Sequence, residues 1–161
     1  MWSVDRLAGV YAYLAVVLRA AILVFQSLIL GGVTFIWVAL KRNSATELGA
    51  ENDAATVHCA RLLRISALLL VAAHVLCLLV NCRALIQSAG LTVPDIIGAN
   101  FVSAAFIAIC SGLFIARLSV PSLPRIWQLL LPSLLILASS VMTNHAAARI
   151  DSRFSLILLT T

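Results

Sequence analysis

The chain is 161 residues long, 63% of them hydrophobic and only 11% charged, with a formal net charge of +5. Soluble domains average roughly 45–50% apolar and about 25% charged residues, so this balance excludes an ordinary water-soluble domain. Ten of the eleven cations are arginines, and most stand between apolar runs. Membrane proteins place topological charges this way; no basic stripe interleaved with aromatics marks a nucleic-acid partner.

A spanning helix needs about 20 mostly apolar residues, and runs of that kind order the chain. The first extends from Leu7 to Leu40 and is interrupted by Arg19. It predicts a lipid-buried span at about 20–40, with Arg19 at one interface. Residues 6–18 then lie along the surface or prolong the same helix. Trp2, Tyr11, Tyr13 and Trp37 suit aromatic belts at the two interfaces. No small-x-small site follows a short apolar segment, so a first membrane helix is expected rather than a cleaved signal peptide. Residues 41–60, "KRNSATELGAENDAATVHCA", read as a polar loop.

The second span is expected at 62–82, followed by "QSAGLTVPD" (87–95) with Gly90 and Pro94 as breakers. The third is expected at 97–118, followed by "SVPSLPR" (119–125) with two prolines. The fourth is expected at 126–148, with Pro132 tolerable in its first turns because neighbouring helices can satisfy the freed carbonyl. The last stretch, "RFSLILLTT" (153–161), amounts to about 12 Å of helix, too short to cross. It reads as an interfacial tail or, preferably, as the start of a further helix in a longer protein. The expected fold is an all-α integral membrane protein, one transmembrane domain over residues 1–161. It consists of four transmembrane helices and a truncated or interfacial fifth segment.

Lys41, Arg42, Arg61, Arg64, Arg117 and Arg125 fall on one side of such a bundle, and Arg6, Arg19, Arg83, Arg149 and Arg153 on the other. Lys41 and Arg42 abut the first span, where the positive-inside rule weighs most. That places the first and third loops in the cytoplasm and both termini outside, which in a bacterial inner membrane is the periplasm.

Ionisable side chains inside a bilayer are functional candidates by default. On the second span His74, Cys77 and Asn81 stand three and seven residues apart, on one helical face. On the fourth, Met142 and His145 stand three apart near the same membrane face. Imidazole with soft sulfur suits Cu(I), making His74, Cys77, Met142 and His145 candidate metal ligands. Facing histidines suit a b-type haem, with His74 and His145 as its ligands. The plainer readings stand beside these. His74 serves equally as a helix-to-helix hydrogen-bonding residue, and Cys77, Cys82, Cys110 and Met142 serve as packing residues. His145 reads as a solvated helix end. The pair His58–Cys59 is a weak metal signal. Ser27 with Gly31, and Ala104 with Ala108 and Gly112, have the four-residue spacing that lets helices approach closely. Gln26 is expected to hydrogen-bond across the bundle. All six acids fall in loops or termini, and no catalytic motif occurs, so an enzyme is not expected.

The stretch "SSVMTNHAAAR" (139–149), a polar-His-Ala-Ala motif closing the fourth span, resembles the bacterial copper resistance protein D family. Gly31–Gly32 in the first span and the basic loop after it fit the same likeness. The resemblance covers the N-terminal half of a family member and carries over only His145. In that family a later helix opens with Leu-His and Trp-Gly-Gly; this sequence ends at "LILLTT". The resemblance implies an inner-membrane protein that handles or transports copper ions, alongside a periplasmic copper-binding protein. A third expectation, of another class, is an accessory subunit whose small-residue faces pack against a larger membrane complex.

Overall fold

The structure is a computed structural model that describes residues 2–43, 49–89, 92, 99–118 and 126–142. Among these residues it is all helical: α1 (Trp2–Asn43), α2 (Gly49–Ala89), α3 (Asn100–Arg117) and α4 (Ile126–Met142). Three helices are long and apolar enough to cross a membrane, through Gly9–Ala39, Ala55–Gln87 and Asn100–Arg117; the described α4 is a shorter apolar helix over Trp127–Met142. The last part of the expected fourth span (143–148), the loop at 119–125 and the segment at 153–161 lie outside the described residues.

One alternative is selected and one expectation changes. Residues 6–18 prolong α1 as one continuous helix rather than lying along the surface, so Arg19 stands inside a helix with apolar turns on both sides. The polar stretch 41–60 is not a loop over most of its length: α1 runs to Asn43 and α2 begins at Gly49. Its alanines favour helix, and acids at 51 and 53 suit the positive end of a helix dipole. At 1.5 Å per residue, α1 and α2 each exceed 60 Å, about twice the hydrocarbon thickness. The extra turns carry the polar residues past the apolar stretches.

The helices pack in a ring, α1 on α2, α2 on α3, α3 on α4 and α4 back on α1. Thus α2 and α4 face each other across the bundle rather than side by side. The packed interior is an apolar plug of Ile29, Val33 and Ile36 from α1, Leu63, Ala67 and Leu70 from α2, Ile115 and Ala116 from α3, and Leu129 and Ile136 from α4. The outside is equally greasy: Leu28, Leu62, Phe106 and Leu131 are all more than half exposed. A surface so apolar is stable only against lipid. Several hydroxyls turn back to carbonyls of their own helices. Ser133 donates to the Leu129 carbonyl at 2.7 Å, Ser27 to Leu23 at 2.9 Å and Thr34 to Leu30 at 2.8 Å. α3 starts without a capping side chain and ends with the Leu118 N–H shared between the Phe114 and Ile115 carbonyls. Arg117 in its last turn suits the negative helix end.

Small residues set the helix spacing, in one case at other positions than their spacing suggests. Ala104, Ala108 and Gly112 are buried on α3 as expected. Ser27 and Gly31 point outward, and a methyl at Gly31 meets nothing within 4 Å. The close approach of α1 belongs to Gly32 instead, where a Cβ would sit 3.2 Å from Leu63 Cδ1. At Gly112 a Cβ would lie 2.8 Å from Val71 Cγ2 and 3.4 Å from the Ala67 carbonyl. Val71 is β-branched and stiff at χ1, so it cannot simply swing away. Gly112→Ala is therefore expected to destabilise the bundle by about 1–3 kcal/mol through overpacking, while Gly31→Ala leaves stability unchanged. Thermal or denaturant unfolding of the two variants in one detergent checks the contrast.

Candidate functional site

Above the plug the interior changes character. A cavity of about 480 Å³ lies between all four helices, lined by Arg19, Gln26 and apolar residues of α1, by His74, Cys77 and Asn81 of α2, by Phe101 and Ala104 of α3, and by Ser139 and Ser140 of α4. Helical periodicity builds each wall. Arg19 and Gln26 stand seven residues apart, as do His74 and Asn81, so each pair repeats on one face two turns on. The antiparallel pairing of α1 and α2 brings the two faces level. Gly32 meets Cys59 and Leu63; thirteen residues back along α1 and forward along α2, Arg19 comes level with His74. The same level on α3 holds Ala104, well beyond the Gly112–Ala67 contact. The cavity therefore occupies the end of the bundle where α2 finishes and α3 starts. The apolar plug occupies the other.

The polar groups differ in how they are satisfied. His74 Nδ1 lies 3.2 Å from the Leu70 carbonyl. A carbonyl only accepts, so Nδ1 carries the hydrogen and Nε2 is left as the lone-pair nitrogen. Asn81 Nδ2 donates to Cys77 Sγ at 3.4 Å, and Ser139 donates to the Ile136 carbonyl at 2.7 Å. Gln26 is the exception. It is only 5% exposed, and its Nε2 has no hydrogen-bond partner, contrary to the cross-bundle bond expected of it. A buried unpartnered amide donor costs about 1–3 kcal/mol. Around the polar groups, Ile22, Leu23, Leu78 and Leu85 make the rest of the wall apolar.

Of the four residues expected to hold a metal, the structure brings His74 and Cys77 to one cavity. Met142 is 54% exposed at the end of the described α4 and is not part of the cavity wall. His145 lies outside the described residues. Among the described residues, no three His, Cys, Asp or Glu side chains gather at one point. Cys59 donates to the Gly32 carbonyl at 3.8 Å and packs in the α1–α2 seam, while His58 beside it is exposed. Sequence reasoning missed Arg19, Ser139 and Ser140 as cavity residues. The seven-residue interval between Arg19 and Gln26 was the available signal for the first. The serines gave none, because a serine inside an apolar helix usually turns back to its own backbone.

No protein-family model matches the chain, and no curated protein and no solved structure is significantly similar to it. The function is read from the cavity alone.

Gln26→Leu removes the orphan donor and keeps the side-chain volume close. The variant is expected to be more stable than the parent by about 1–3 kcal/mol in the absence of ligand, read as a raised unfolding midpoint. An unchanged or lowered midpoint contradicts the assignment of Gln26 as unsatisfied.

Proposed function

We propose that this is a multi-pass membrane protein that binds a small ligand inside its helix bundle, as a receptor or carrier entered from one membrane face. The observation that carries this reading is the division of one bundle into a polar cavity with an unsatisfied donor and a dry apolar plug beneath it. Bilayer-buried polar groups are costly unless they serve a ligand, an ion path or a partner helix. Here the polar groups converge on a space of the size small-molecule sites occupy, about 300–1,000 Å³. With the loop charges oriented by the positive-inside rule, the cavity faces the extracytoplasmic side.

Water reaching the cavity from one side is the direct consequence. Cys77 lies on its wall. With Cys59, Cys82 and Cys110 changed to serine and the protein in sealed vesicles, a charged methanethiosulfonate is expected to modify Cys77 from one face only. Modification from both faces, or from neither, removes the one-sided cavity.

Copper handling is a second reading, favoured by a specific pair of atoms. The Leu70 carbonyl fixes the His74 tautomer and frees Nε2, the arrangement metal-bound histidines generally have, and Cys77 lies one turn away. The fit is partial: Arg19 adds a positive charge to the same cavity, and no carboxylate lines it among the described residues. A Cu(I) titration against a competing chelator tests this reading. Retained copper with at least tenfold weaker binding in His74→Ala or Cys77→Ser supports it, and no binding above background removes it. Haem b is the less well-fitting alternative, since His74 is the one histidine on the cavity among the described residues. A preparation without Soret absorption removes it.

A further inference from the structure

The donor balance of the cavity assigns the class of ligand, on the reading that the cavity is a binding site. We infer that the cavity binds an anionic headgroup, a carboxylate or a phosphate, carried on an apolar chain.

Three observations combine. First, among the described residues the wall is rich in hydrogen-bond donors and holds no carboxylate. Arg19 contributes a guanidinium with five N–H groups, Gln26 an amide and Asn81 another. Only one of these is given a partner by a neighbouring side chain within the wall: Asn81 Nδ2, which donates to Cys77 Sγ. Second, the Gln26 amide is almost fully buried, lines the cavity and leaves Nε2 without an acceptor. A site that buries a donor with no acceptor of its own is complementary to an acceptor brought from outside. An oxyanion supplies it with charge, and charge-assisted hydrogen bonds are roughly twice as strong as neutral ones. Arg19, an exposed residue that lines the cavity, offsets that charge.

Third, the polar groups are a minority of the wall. Ile22, Leu23, Leu78, Leu85 and Phe101 surround them, so a bare inorganic ion would leave this apolar surface wet. An amphipathic anion satisfies both parts, its headgroup against Arg19 and Gln26 and its chain along the leucines. A cation or a neutral alcohol of equal length leaves the guanidinium charge uncompensated. Fatty acids and single-chain lipid phosphates share this chemistry, as do apolar carboxylates arriving from water.

The test uses the full chain in phosphatidylcholine nanodiscs, with dodecanoate, dodecyl phosphate, dodecylamine, dodecanol and inorganic phosphate as probes, read by isothermal titration and by the shift in unfolding midpoint. Saturable binding of dodecanoate or dodecyl phosphate is expected, with the amine and the alcohol failing to saturate. Arg19→Gln is expected to weaken the anion by about tenfold or more. Gln26→Leu is expected to weaken it while raising the ligand-free midpoint, an opposition that a merely misfolded variant does not show. Inorganic phosphate binding as tightly as dodecyl phosphate overturns the apolar chain. Equal binding of amine and anion, or an Arg19→Gln protein that binds the anion as the parent does, overturns the inference as a whole. One-sided labelling of Cys77 without anion binding defeats this inference and leaves the cavity standing; no labelling of Cys77 defeats both.

Discussion

In hydrocarbon, every polar atom has to find its partner inside the protein, and that constraint shapes the rest of the bundle. The backbone meets it by being helical throughout the described spans. Serines and threonines meet it by returning their hydroxyls to carbonyls one turn back. Where the rule is broken, at Gln26, the break lies on the wall of a cavity.

Packing divides the structure into two zones along its axis. Glycine and alanine contacts close the lower zone: Gly32 against Leu63, and Gly112 against Val71 and Ala67. Isoleucine, leucine and valine fill it to near-zero exposure. In the upper zone the same helices carry Arg19, His74, Asn81, Ser139 and Ser140 at the positions that face inward. No change of fold is needed to pass from one to the other. The helical repeat keeps one face inward, and the residue types on that face switch from polar to aliphatic after Gln26 on α1 and from aliphatic to polar after Leu70 on α2.

Helical class and membrane character were legible in composition and run length, because those depend on local hydropathy. The interhelical pairings were not. The spacing rule selected Gly31 on α1, yet its neighbour Gly32 makes the contact. A one-residue difference turns a side chain by about 100° around the helix, and spacing alone cannot say which way a face points. The stretch 41–60 misled for another reason: polarity was taken for irregularity, although alanine and acids at a helix start favour the helix. At the site, the face of His74, Cys77 and Asn81 followed from periodicity. Arg19 joined it only through the register of α1 on α2, a tertiary fact. Met142, grouped with the ligands on spacing, stands outside because α4 turns its serines inward at that level.

The plug also has an electrical consequence. From Ile29 to Ile36 it is about 10 Å deep, roughly a third of the hydrocarbon thickness. With water in the cavity, the aliphatic layer would be the insulator, and a membrane voltage would fall mainly across it. A charge settling beside Arg19 would then cross little of the field. Any passage beyond Ile29 would traverse most of it, at about 2.3 kcal/mol per charge for each 100 mV.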